Sequence, residues 1–236
     1  MKILALILAR GGSKRLPGKN TRVLGEKPLI VWSIDIVKGI PSVCDTLVST
    51  DDMEIADICT KAGAYVPWLR PAELSNDTAS SVDAAIHALD WYEAQKGPVD
   101  GLMLLQPTSP FRARETVQRG IDVYEDNSML PVVGVAPAPL HPLWALKLKN
   151  GGLVPYLPGS GLTTRSQDLP LAYAVNGSFY LISPRELRAG KTFFGSGAQP
   201  LLETSPHEGL DIDTLEDFEL AEAVLLMRAQ KKLQRQ

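Results

Sequence analysis

Residues 3–9 form an unbroken apolar run, the pattern of a strand buried on both faces of a parallel sheet. Shorter apolar runs follow at 46–50, 101–105, 131–136 and 178–182. Between them the period lengthens to that of helices, predicted over 28–38, 52–63, 81–95 and 114–125. Pro28 suits a first helical position, Gly63 a helix end, and Ser80-Ser81-Val82-Asp83 has the spacing of a capping box. A last helix starts near Thr214, where Thr214 and Asp217 repeat that spacing. It carries an apolar stripe of Phe218, Ala221, Leu225 and Ala229 and a polar, fraying end at 231–236. Strands alternating with helices predict a doubly wound, mostly parallel α/β sheet. The alternation fails over 137–173, where proline, glycine and isolated apolar residues predict a protruding segment of short hairpins within a single domain spanning 1–236.

A chain of 236 residues, 44% of them hydrophobic, can bury a core without disulfides or a structural metal. Cys44 and Cys59 have no metal-ligand spacing and read as reduced thiols. The run at 3–9 is too short for a membrane span or a signal peptide, so the expectation is a soluble, cytoplasmic protein with no membrane partner. The formal net charge of −3 is unevenly spread. Arg10, Lys14, Arg15, Lys19 and Arg22 give residues 10–25 a charge of +5, leaving −8 on the remainder. A patch this local suits a small polyanion, and no basic stripe with interleaved aromatics points to nucleic acid.

That patch is the loop directly after the first strand, where open α/β sheets bind ligands. Gly11, Gly12 and Ser13 allow backbone N–H groups to turn towards phosphate oxygens, while Arg10 and Lys19 can neutralise a triphosphate. Five residues separate Gly12 from Gly18 and Asn20 follows Lys19, so the loop is not a P-loop. The G-x-G-x-x-G fingerprint is also absent, which argues against an NAD-dependent oxidoreductase. Asp211-Ile212-Asp213 places two carboxylates on one face of an extended segment, about 6.5 Å apart. Such a pair can hold a hard cation such as Mg²⁺, and on these residues alone it reads equally as the polar start of the last helix. Gln106-Pro107-Thr108-Ser109-Pro110 sets polar side chains in a stiff turn beyond the third strand run, suited to hydroxyl and amide recognition or to a plain turn. None of His87, His141 and His207 has a partner in sequence that would make it a general base.

The stretch Ala9-Arg10-Gly11-Gly12-Ser13-Lys14 with Gly18-Lys19-Asn20 resembles the signature of the CMP-sialic acid synthetases (acylneuraminate cytidylyltransferases), a group that includes legionaminic and pseudaminic acid relatives. Val48-Ser49-Thr50-Asp51, Arg70-Pro71-Ala72-Glu73-Leu74 with Asp77-Thr78-Ala79-Ser80, Gln106-Pro107-Thr108-Ser109-Pro110, Asn176-Gly177-Ser178-Phe179-Tyr180 and Asp211-Ile212-Asp213-Thr214 agree in the family's order. The resemblance implies a Rossmann-like nucleotidyltransferase that moves CMP from CTP onto a nine-carbon acidic sugar, with Mg²⁺ on Asp211 and Asp213. It assigns Asn20, Arg70 and Ser80 to the nucleotide beside the phosphate loop. It assigns Gln106, Arg165, Asn176, Tyr180, Phe193 and Phe194 to the sugar, with Thr108 and Ser109 in the same turn as Gln106. It also implies a homodimer in which 137–173 packs on a second subunit and lends Arg165 to the partner's site. The chain departs from the family at Trp144, where some members look basic, and this suits a related deoxy sugar. A cytidylyltransferase for the eight-carbon octulosonic acid has a similar phosphate loop, but the stretches at Gln106 and Asp211 argue against it. A non-catalytic nucleotide-binding subunit would be expected to have damaged the loop or the acidic pair, and both are intact.

Overall fold

The apolar runs become the strands of a single sheet in the computed structural model, which describes residues 1–159, 161–205 and 207–234, the side chain of Lys232 excepted. The chain runs β1 (Ile3–Ala9), a small hairpin of β2 (Val23–Leu24) and β3 (Lys27–Pro28), α1 (Leu29–Asp35), β4 (Val43–Thr50), α2 (Met53–Lys61), α3 (Ser81–Lys96) and β5 (Gly101–Leu104). It continues with α4 (Arg114–Asp126), β6 (Val132–Pro137), the hairpin β7 (Leu146–Lys149) and β8 (Gly152–Pro155), β9 (Tyr173–Ile182), α5 (Pro184–Gly190), β10 (Gln199–Leu202) and α6 (Leu215–Leu233). Six strands make the main sheet in the order β10-β6-β9-β5-β1-β4. β1 pairs in parallel with β4 and β5, and β10 with β6, whereas β9 runs antiparallel between β5 and β6. The sheet is therefore mostly parallel, as expected, with its one reversed strand returning from the irregular segment.

Alternation along β1 divides the core. Ile3, Ala5 and Ile7 pack with Ile30, Ile34, Ile55, Cys59, Val117 and Ile121 from α1, α2 and α4. Leu4 and Leu6 face the other way, onto Ala85, Ala88 and Leu89 of α3 and Leu187 of α5. The helix starts are capped where polar residues precede them. Asp52 accepts from the Ile55 N–H at 3.0 Å and Ser80 from that of Val82 at 3.1 Å. Asp217 accepts from the N–H groups of Asp213 and Thr214 while Thr214 Oγ1 accepts from Asp217.

Several boundaries differ from expectation. Pro28 is the cap of α1, not its first residue, and the helix gives way to turns that end at Gly39, whose φ is +70°. β9 begins at Tyr173, five residues early, because pairing with β6 carries it towards the irregular segment. On α6 the buried stripe is Phe218, Ala221 and Val224, while Ala229 is exposed. That helix continues to Leu233, and of its expected frayed end Arg235 and Gln236 lie outside the described residues.

The described residues between β6 and β9, here called the arm, carry the β7–β8 hairpin, which joins no strand of the main sheet. The hairpin turns on Asn150 and Gly151, with φ of 51° and 78°, as a two-residue type I′ turn requires. Trp144 donates its indole N–H to the Gly161 carbonyl at 3.0 Å and so braces the arm internally. Leu148, Leu153 and Leu171 on this arm are 79%, 66% and 86% exposed. Among the described residues, no helix is long and apolar enough to cross a membrane.

Candidate active site

The carboxyl ends of β1 and β5 open onto a cleft of about 580 Å³. Its lining includes Arg10, Ser13, Lys19, Asn20, Gln106, Thr108, Asp211 and Asp213, so one cavity gathers residues from the phosphate loop, the turn after β5 and the segment before α6. Leu16 holds the loop in place by burying itself with Leu24, Phe111, Ile212 and Phe218. A second cavity of about 310 Å³ shares Arg10 with the cleft and is lined by Arg70 and Ser80. A third, of about 640 Å³, shares Asp211 with it and is lined by Asn176, Tyr180 and Glu203.

Alternation works as predicted at the acidic pair. Ile212 is wholly buried and its N–H donates to the Thr108 carbonyl at 2.8 Å, which turns Asp211 and Asp213 together towards the cleft. Asp213 accepts from Lys19 Nζ at 2.8 Å and from Arg15 Nη2 at 2.6 Å. The Lys19 bond leads in holding its carboxyl below the usual range, against some desolvation. Asp211 is raised, chiefly by desolvation from the crowded cleft walls and further by Asp213, with the Thr108 hydroxyl offsetting part of the rise. Among the described residues no three His, Cys, Asp or Glu side chains form a metal-holding group. The protein thus offers a hard cation two carboxylates beside open space, a donor set that fits Mg²⁺ keeping waters and taking phosphate oxygens.

The loop glycines divide. Gly11 turns away from the cleft, its N–H donating to Asp51 Oδ1 at 3.0 Å, and an added Cβ would collide with Asp52. At Gly12 a Cβ would meet nothing within 4 Å, so no protein atom requires a glycine there. Asn20 is buried; its amide donates to the Arg10 carbonyl at 3.1 Å, while its Oδ1 has no partner among the described residues. Arg70 is also buried, with Nε on Ser75 Oγ at 3.1 Å and Asp51 4.0 Å away. Burial lowers its pKa, Asp51 opposes that, and the nearby Arg10 adds to it. Arg10 and Lys14 both pair with Asp77, at 2.9 and 2.5 Å.

On the opposite side, β9 bulges. Its register with β6 jumps from Val133–Tyr180 to Val135–Val175, and Gly177 takes a φ of +71°. The bulge aims Asn176 and Tyr180 at the third cavity, and it brings Gln106 so close that a Cβ on Gly177 would lie 2.5 Å from Gln106 Oε1. Three expected sugar contacts sit elsewhere. Ser109 is fully buried and does not line the cleft, because its turn points it into the protein. Phe193 is a core residue packed on the Tyr180 ring at 5.5 Å, although Phe194 beside it is half-exposed and edge-on to Tyr180. Arg165 lies on the arm, 72% exposed and paired with Asp168, away from all three cavities.

Sequence reading missed Arg112. This buried guanidinium donates to Ser33 Oγ at 2.9 Å, to the Ser109 carbonyl at 2.6 Å, and to the carbonyls of Gln106 and Ser178. It ties the turn bearing Gln106 and Thr108 to the bulged strand. Burial pushes its pKa down to about 9, with Asp211 opposing the shift. Glu208, buried beside the same turn, was missed as well; it accepts from Thr204 and from the Ala113 N–H. Only contacts between residues distant in sequence mark these two.

A cation-lined cleft at a parallel sheet's carboxyl edge, flanked by two further cavities, defines a nucleotidyltransferase of the α/β class. A family model described as cytidylyltransferase matches residues 4–139. The chain belongs to that cytidylyltransferase family. It is 39% identical over 228 residues to the CMP-N,N'-diacetyllegionaminic acid synthase of Legionella pneumophila, covering 95% of this chain and 97% of that one. An N-acylneuraminate cytidylyltransferase of Streptococcus agalactiae is 33% identical over 220 residues, 92% of this chain and 52% of the longer relative. A solved structure of CMP:2-keto-3-deoxy-manno-octonic acid synthetase complexed with CTP aligns with a TM-score of 0.70 over 97% of this chain and 100% of that chain, at 17% identity, which speaks to the fold alone.

Proposed function

We propose that the protein transfers CMP from CTP to the anomeric hydroxyl of a nine-carbon acidic sugar, releasing pyrophosphate. The observation that carries this reading is the run of three adjoining cavities, with the cationic loop and the acidic pair in the middle one. In this order the cavity at Arg70 and Ser80 takes the cytosine end, the central cleft the triphosphate, and the cavity at Asn176 and Tyr180 the sugar. The names of the two sequence relatives, one a legionaminic and one a neuraminic acid enzyme, support a nine-carbon acceptor.

Arg10 and Lys19 neutralise the phosphates, and the open space at Gly12 lets backbone approach them. Nucleotide entry is an exchange of ion pairs: Lys19 and Arg15 leave Asp213, and Arg10 and Lys14 leave Asp77, as the phosphate oxygens replace those carboxylates. Asn20 Oδ1, buried and without a partner among the described residues, accepts from a donor on the nucleotide. Asp211 and Asp213, freed from its cations, would hold Mg²⁺, which when bound supplies charge neutralisation at the α-phosphate. Gln106 and Asn176 orient the sugar so that its hydroxyl meets that phosphorus in line with the departing pyrophosphate. The arm serves a homodimer, its exposed leucines covered by a second subunit and Arg165 delivered to the partner's sugar carboxylate as a bidentate ligand.

The test is pyrophosphate release from CTP and Mg²⁺ with N-acetylneuraminic, legionaminic, pseudaminic and octulosonic acids offered separately. Release with a nine-carbon acid, lost by at least about 100-fold in Asp211→Ala, is the expected result. Release with the octulosonic acid alone, or with none of the four, would reject the reading.

A further inference from the structure

The third cavity holds a carboxylate that the reaction described above does not use. Glu203, immediately after β10, lines this cavity together with Asp211, Asn176 and Tyr180. It has no cationic partner among the described residues. Its Oε1 accepts from the Asn176 amide N–H group. The other end of that amide is fully committed, since Asn176 Oδ1 accepts from the Ser178 N–H at 3.0 Å and from the Ser178 hydroxyl at 2.8 Å. The amide therefore cannot flip without losing both bonds. Gly209 makes the close approach possible, because a Cβ there would overlap Glu203 Oε1. The chain thus keeps a half-buried carboxylate without a cationic partner among the described residues at the edge of a polar pocket; burial pushes its pKa up, helped by Glu208 and opposed by hydrogen bonds from Asn176 and the Gly209 backbone. A group held at such cost calls for a donor from outside the protein.

The geometry points to Glu203 as a specificity residue of the sugar pocket, accepting a hydrogen bond from the N–H of an acylamino substituent on the acceptor sugar. Among the described residues its donors are the Asn176 amide, on Oε1, and the Gly209 backbone N–H, and a carboxylate with up to four acceptor sites keeps Oε2 lone pairs for a ligand. A secondary amide is the matching partner: its N–H is a neutral donor, so it meets a carboxylate without repulsion and makes a charge-assisted bond. The sugar's own carboxylate is excluded from this wall by Glu203 and Asp211 together, which turns it towards the open side of the cavity. The names of both sequence relatives carry acyl-substituted sugars, in keeping with such a donor. This assignment rests on the reading of the third cavity as the sugar site.

The experiment compares wild type, Glu203→Gln and Glu203→Ala as full chains, by pyrophosphate release with three acceptors: N,N'-diacetyllegionaminic acid, N-acetylneuraminic acid and its deaminated analogue with a hydroxyl in place of the acylamino group. The wild type is expected to prefer the better of the two acylamino acids over the deaminated analogue by about 10-fold or more. In Glu203→Ala that preference should collapse to within a few-fold, through a higher KM for the acylamino sugar with the KM for CTP unchanged. Glu203→Gln keeps the side-chain volume and an acceptor for Asn176, so it should hold the fold and recover only part of the preference. A preference retained in both variants, a wild type indifferent to the acylamino group, or an equal rise in the KM for CTP would overturn the assignment. Wild-type silence with every acid would instead reject the underlying reading, before any variant is considered.

Discussion

At the scale of single residues, Arg112 does most to join the two sides of the site. One planar fork reaches carbonyls of Gln106, Ser109 and Ser178, which no other side chain could replace. Arg112→Ala should lower stability by about 3 kcal/mol or more, because several buried acceptors lose their donor at once. Arg112→Lys should restore less than half of that, since an ammonium keeps the charge and lacks the fork. Urea unfolding of the two variants checks both statements, and equal stability of Arg112→Lys and wild type would show that charge alone suffices. Arg112 also marks where sequence reading runs out. Arg10 and Lys19 could be found from their place after a strand, whereas a buried arginine in a turn announces itself only once its acceptors, from Ser33 to Ser178, are assembled. Ser109 failed for a related reason: composition places polar residues in a turn but does not say which of them point inward.

At the scale of elements, the start of α6 aims the acidic pair. Asp217 is held below its ordinary range first by the Asp213 N–H, against some desolvation, with the Thr214 N–H and hydroxyl adding to the effect. Because the folded pKa is depressed, this stabilisation is fully present above the unfolded value of 3.8 and is lost as pH falls through the lower folded value. Asp217→Ala should therefore cost about 1 kcal/mol at neutral pH, an ordinary capping loss, and progressively less at an acid pH below 3.8. Urea titrations at the two pH values measure the difference, and a gap of the same size at both would mean that the ionised cap is not responsible. Long elements that bury a continuous face were legible because the core imposes their period: β1, α2, α3 and α4 fall within a residue or two of expectation. α5 and β10 were not legible. Seven residues make barely two helical turns, and Gln199-Pro200-Leu201-Leu202 sends only Leu201 into the core, too little for any period to show. The antiparallel sense of β9 was hidden too, since an apolar run has no direction.

For the whole molecule, the arm's exposed leucines are the feature that solvent tolerates least. If the homodimer proposed above forms through the arm, Leu148→Glu with Leu153→Glu, both on its hairpin, should leave the fold and CTP binding intact while converting that dimer to monomer. Turnover should fall at least about 10-fold, because Arg165 would no longer reach a neighbouring site. Sedimentation velocity and pyrophosphate release check this together, and an unchanged dimer would remove the arm from the interface. The strand order has its own consequence, for how the chain comes together. β6 borders only β9 and β10 in the sheet, and both are made later. The segment through β5 can assemble as it is synthesised, but β6 must wait, edge exposed, until the arm and then β9 have been added. Long-range pairing of this kind is slow because the loop closes before contacts reward it. A chain halted before Tyr173 would display β6 as an unpaired apolar edge, so the hazard of aggregation is concentrated in that one interval of its synthesis.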